Sequence, residues 1–104
     1  MAQQMGDYEI LSHVEWPECS IRIISMEAVE AVQTHYHELT TQVYIVLRGE
    51  IEAKVGDQTM RLRPYETVRV PANTPHSIRP TDASARVLSL AVPPMSRDDQ
   101  HPVD

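Results

Sequence analysis

Six short runs along the chain either alternate apolar and polar residues or are rich in β-branched side chains: Ile21–Ile24, Val43–Leu47, Ile51–Val55, Thr59–Leu62, Thr67–Val70 and Ala85–Leu90. Each predicts a β-strand. Eight prolines and three glycines punctuate the chain, and no long stretch carries the apolar period of a helix. Gly56-Asp57, between two of the runs, predicts a hairpin turn. One segment dissents: Met26–Val32 is composed of good helix formers. Extended structure is the expectation there too, because its flanks read as strands and tertiary pairing overrides weak propensity. Many short strands with turn signals and almost no helix predict an all-β sandwich or jelly-roll barrel.

Length then fixes the domain count. At 104 residues and 11.8 kDa, the chain suits one domain over 1–104, without internal repeats. Residues 1–7 are polar and uninformative, and 94–104 form an acidic tail behind Pro93-Pro94, expected to be partly mobile. The formal net charge is -6 and the nine Lys and Arg are scattered, so the basic footprint of a nucleic-acid or membrane-surface partner is missing. Met1–Met5 lacks the cationic start and apolar core of a signal peptide, and no apolar run approaches membrane length; cytoplasmic residence is the expectation. Cys19 stands alone and cannot form an internal disulfide, so it reads as a small core hydrophobe.

The candidate chemistry lies in the histidines. On a strand, residues two apart point to the same face about 6–7 Å from each other, so His35 and His37 can both reach one ion. A single ion could then recruit Gln42 and His76. The order His35-x-His37, then Gln42, Gly49, and finally Pro71-Ala72-Asn73-Thr74-Pro75-His76 resembles the two motifs of the cupin superfamily. The likeness covers about residues 21–93. It implies a jelly-roll barrel in which His35, His37, Gln42 and His76 hold one divalent metal ion. Some motif positions depart from the family: Val29 replaces the opening glycine, Tyr65 and Asn73 replace two glycines, and Pro80 replaces the closing Asn. Asn73 can take the left-handed conformation a glycine would have served. Tyr65 follows Pro64, which pre-sets a turn in another way. None of these positions is a ligand.

Position 42 is the telling departure, because cupins most often carry Glu there. An amide oxygen binds a divalent ion but brings no charge. Three imidazoles and an amide leave the ion a stronger Lewis acid, one that attracts a chelating anion such as an enolate, hydroxy-ketone or carboxylate. The expectation is a metal-dependent enzyme of isomerase or cyclase type acting on a small oxygen-rich or carbonyl substrate. The alternatives are an Fe(II) dioxygenase and a non-catalytic ligand-binding cupin. His-His-Gln-His sets are similar to those of polyketide cyclases, of pectin-degradation cupins and of isomerases of antibiotic synthesis. Pectin-degradation cupins carry a catalytic Asp shortly before a Pro near the last strand; aligning on Pro93 puts Ser89 there. Tyr44, two residues beyond Gln42 on the same face, is the candidate proton donor or holder of a substrate oxygen, unless it only fills the barrel. Glu38 reads as a solvated turn residue, and His13 and His101 as surface residues. Val43, Ile45 and Leu47, opposite in parity to Gln42, look too apolar for free surface and predict a homodimer.

Overall fold

The computed structural model describes residues 6–103; Met1–Met5, read above as lacking a leader's features, lie outside them. The strands are β1 (Gly6–Asp7), β2 (Glu9–Glu15), β3 (Ser20–Met26), β4 (Ala31–Tyr36), β5 (Thr41–Arg48), β6 (Ile51–Val55), β7 (Gln58–Leu62), β8 (Thr67–Val70), β9 (His76–Pro80), β10 (Ala85–Val92) and β11 (His101–Pro102). Two antiparallel sheets form. One has the order β1-β4-β9-β6-β7 with β11 also on β4, and the other β2-β3-β10-β5-β8. This is the all-β jelly roll expected from the sequence.

The core lies between the sheets because β3, β5 and β10 alternate strictly. Along β3, Ser20, Arg22, Ile24 and Met26 are buried while Ile21, Ile23 and Ser25 are half-buried; along β5, Gln42, Tyr44 and Val46 are buried. Met26, Val46, Ile51, Ala53, Ile78 and Val87 belong to the buried core cluster. Every residue of β2 is exposed on both faces.

The helix-former segment is divided. β3 runs to Met26, a turn follows with Glu30 N–H bonded to Glu27 C=O at 2.9 Å, and β4 begins at Ala31. Gly56-Asp57 closes the β6–β7 hairpin as a two-residue turn, with Val55 opposite Gln58 and Gly56 at φ 59. Gly49 (φ 79) has no substitute, since a Cβ there would lie 2.5 Å from the Ser84 carbonyl oxygen. Asn73 takes the left-handed conformation (φ 64), as its residue type allows, but so does Tyr65 (φ 71). Pro64 does not spare Tyr65 that conformation, and the Tyr65 N–H bonds Val46 C=O at 2.6 Å.

Part of the tail, expected to be partly mobile over 94–104, pairs with the barrel. A single 3-10 turn (Arg97–Asp99) leads into β11, where His101 pairs with Tyr36 and Pro102 with His35. His101 is no free surface residue. Its ring stacks on Tyr36 at 4.9 Å, and its Nε2 lies 3.2 Å from Glu38 Oε1 and 3.4 Å from Asp99 Oδ1.

Candidate metal centre

β4 is bulged at the point that aims the histidines. Between the Val32–Ile78 and His35–His76 pairs it takes three steps against two on β9. The extra residue reverses parity: Val32 faces the core, Gln33 and Thr34 are both exposed, and His35 and His37 face inward. His76 opens β9 directly opposite His35. Their rings lie 4.4 Å apart between centroids, with His37 4.9 Å from His35 and 5.5 Å from His76. All three are buried. One nitrogen from each lies within 4.8 Å of the others, so the three form a group that could hold a metal ion.

Each ring is oriented by a backbone carbonyl. His35 Nδ1 bonds Gln33 C=O at 2.7 Å, His76 Nδ1 bonds Thr74 C=O at 2.9 Å, and His37 Nδ1 bonds Asp99 C=O at 2.8 Å. A carbonyl only accepts, so the proton sits on Nδ1 and leaves the Nε2 lone pair for a ligand. His37 Nε2 and His76 Nε2 are buried without a hydrogen-bond partner among the described residues. Burial pushes His76 down to about 3, reinforced by His35, and His35 down to about 4. Burial also lowers His37, against the opposing pull of Asp99 and Gln42. All three rings are therefore neutral at pH 7, the state a metal requires.

Gln42 faces them from β5 in the opposite sheet. Its Nε2 donates to Ser89 Oγ at 3.0 Å and Met95 Sδ at 3.5 Å. These two acceptors fix the sense of the amide. Its Oε1 is then a buried oxygen with no protein partner among the described residues, a costly arrangement unless something electropositive answers it. Three grouped imidazoles, two of them with an unpaired Nε2, and one unpaired amide oxygen fit a hard or borderline divalent ion.

Tyr44 lies one inward step from Gln42, 2 % exposed and with its ring centroid 6.1 Å from that of His76. Burial, aided by Tyr8, holds its phenol well above the ordinary tyrosine value despite the opposing pull of Gln42 and Arg22. It is a permanent donor and not a base. The cavity in front of these groups encloses about 350 Å³, its open mouth included, and His35, Gln42, Tyr44, Ser89 and Met95 help to line it.

Sequence reasoning picked out His35, Gln42 and Tyr44, which line this cavity, and His37 and His76, which group with His35; Glu38 is exposed as expected. It missed Asp99, whose carboxylate accepts from the Glu38 N–H at 2.8 Å and the Leu39 N–H at 3.0 Å. Asp99 thus clamps the turn after His37 while its carbonyl orients the ring, and a tail residue without periodicity gives no sign of this. Arg22 was missed as well. Its signal was present, since it shares the inward parity of Ile24 and so is a cation on the core face of a strand.

A profile described as Cupin domain matches residues 22–91. Quercetin 2,3-dioxygenase of Bacillus subtilis (strain 168) is 31% identical over 64 residues, which cover 62% of this chain and 19% of that protein. The match therefore spans about a fifth of the length of that curated relative. Among solved structures, TT1209 from Thermus thermophilus superposes with a TM-score of 0.81 at 23% identity, covering 86% of each chain. KdgF from Halomonas sp. gives 0.73 at 21% identity, covering 86% of this chain and 79% of that one.

Proposed function

Since the chain belongs to the cupin domain family, matched over residues 22–91, we propose that it is a metal-dependent enzyme of isomerase or cyclase type acting on a small oxygen-rich or carbonyl substrate. His35, His37, Gln42 and His76 would hold one divalent ion. The observation carrying this reading is the set of buried, unpartnered acceptor atoms, Gln42 Oε1 with His37 Nε2 and His76 Nε2, beside the three-histidine group. The ion, when bound, supplies a Lewis acid whose neutral protein ligands leave its charge to be answered by substrate. Tyr44 donates a hydrogen bond or a proton to a substrate oxygen, because burial keeps its phenol protonated. Asp or Glu is absent from the residues described around the cavity, and Ser89, at the position of the pectin-group Asp, is occupied in holding Gln42. The second reading, an iron enzyme using oxygen, is favoured by the likeness to quercetin 2,3-dioxygenase.

Gln42→Glu separates the two. A carboxylate adds negative charge at the ligand position, so metal affinity holds or rises while Lewis acidity falls. An isomerase or cyclase keeps its ion, loses turnover and shifts its pH optimum upward. An oxygen-using enzyme loaded with Fe(II) is instead oxidised faster in air. Unchanged metal content, pH profile and air oxidation would remove Gln42 from the site.

The proposed setting is a cytoplasmic homodimer; no helix among the described residues is long and apolar enough to cross a membrane. Support for the dimer comes from register. Val14, Ile21, Leu90 and Val43 form one outward row across four strands, and Ile23, Leu88 and Ile45 the next. A second copy laid on this face would cover an apolar band too continuous for free surface. Ile45→Lys should yield monomers in sedimentation, and a wild-type monomer at micromolar concentration would refute the dimer.

A further inference from the structure

Arg22 stands at the middle of β3 on its inward face, 7% exposed, and lines the same cavity as His35 and Gln42. The remaining arginine ion pairs are made at the surface, by Arg61, Arg63 and Arg79 with Glu50 or Glu52. Among the described residues, Arg22 has no carboxylate partner. Its Nε donates to His13 Nδ1 at 3.2 Å, and His13 Nε2 lies 3.3 Å from Glu15 Oε1. An imidazole that accepts at Nδ1 carries its proton on Nε2, turned here toward Glu15. His13 therefore orients the guanidinium without cancelling its charge.

A buried ion without a counter-charge is costly, and most groups escape by discharging. Arginine cannot, because its guanidinium keeps its proton in proteins. The rest of the cavity makes the imbalance worse. Its other polar groups are the neutral His35 imidazole, the Gln42 and Gln100 amides, the hydroxyls of Tyr8, Tyr44 and Ser89 and the Met95 thioether, and a dication bound at the histidines would add to the positive charge. Among the described side chains no carboxylate in the cavity answers this charge, which leaves that role open to a ligand. The fork of a guanidinium matches a carboxylate in geometry as well as charge. In register, Arg22 sits opposite Ser89, which in turn sits opposite Tyr44. Cation, hydroxyl and phenol thus form one inward row beside Gln42.

We propose that Arg22 is the anion-recognising residue of this cavity, and that the ligand is a small carboxylic acid with a second oxygen. The carboxylate seats on Arg22, while the second oxygen, of an oxo, hydroxy or enol group, faces the His35–His37–Gln42–His76 set. The second contact rests on the metal reading above; the first rests on Arg22 alone. Arg22 therefore determines specificity, selecting anionic over neutral carbonyl compounds.

Two measurements keep the claims apart. In metal-free, 15N-labelled full-length protein, the Arg22 Nε–Hε resonance should shift saturably with malonate and stay still with malonamide. No shift, or the same shift with both, overturns the proposal. In protein loaded with cobalt(II), whose visible bands report ligands, Arg22→Met should raise the malonate dissociation constant about ten- to hundredfold. Arg22→Lys, which keeps the charge and loses the fork, should fall between. Cobalt stoichiometry and imidazole affinity should match wild type in both variants. A malonate affinity within twofold of wild type in Arg22→Met overturns Arg22 as the anion site. Failure of wild-type protein to bind cobalt sinks the metal reading alone, because the metal-free experiment still decides Arg22.

Discussion

Acidification should unfold the metal-free protein by way of its own candidate ligands. His35 and His76 have folded pKa values lowered to about 4 and about 3 from an ordinary 6.5. Above pH 6.5 both are neutral whether the chain is folded or not, and they leave stability independent of pH. Below it, the unfolded chain takes up protons that the folded chain refuses, so stability falls as pH falls, down to the folded values. Each group loses about 1.4 kcal/mol per pH unit. At pH 5, a unit and a half below 6.5, the two together have lost about 4 kcal/mol. His37 is lowered as well and adds to the loss. A domain of this size has roughly 5–15 kcal/mol in hand, so the chelator-treated protein should unfold at an unusually mild acidity. Urea titrations at pH 7, 6 and 5 measure the slope, and His35→Asn/His76→Asn should flatten it. Equal stability at pH 7 and pH 5, within about 1 kcal/mol, would refute the reasoning, as would a full slope in the double variant.

Asp99→Ala removes a carboxylate that accepts two backbone N–H groups. Glu38 and Leu39 are exposed, so water can satisfy the freed N–H groups, and the cost is about 2 kcal/mol in urea; a loss below about 0.5 kcal/mol would deny the clamp. Tyr65→Gly should stabilise. Tyr65 is at φ 71 with its side chain 81% exposed, and relief of about 1–2 kcal/mol of left-handed strain outweighs the entropy glycine adds to the unfolded chain. A rise in Tm of about 4 °C is expected, and a fall would contradict it.

How much of this was legible beforehand depends on range. Gln42 and Tyr44 follow from alternation along one strand, and Gly49 and Asn73 follow from backbone conformations that few residues tolerate. His35 and His37 follow from their two-residue spacing, although the bulge that turns them inward leaves no mark in composition. Gln33 and Thr34 are ordinary strand-edge residues, and only pairing with β9 exposes both. The role of the tail was not legible because polarity and proline content say nothing about hydrogen bonds made 60 residues away, such as Leu39 N–H to Asp99. Tyr65 adopts a glycine's conformation because the Val46 C=O draws its N–H into the turn. Arg22 was counted as one scattered cation; parity, not charge, distinguishes it.

Metal content tests the central claim most directly. Protein purified without chelators, dialysed and analysed by elemental mass spectrometry should carry about one divalent ion per chain. His35→Ala and His76→Ala should each carry none while keeping the circular dichroism of a folded β protein, since β4 and β9 pair through their backbones and the core lies deeper between the sheets. One tightly held ion per chain in both variants would contradict the account, as would a wild-type protein that binds no divalent metal at all.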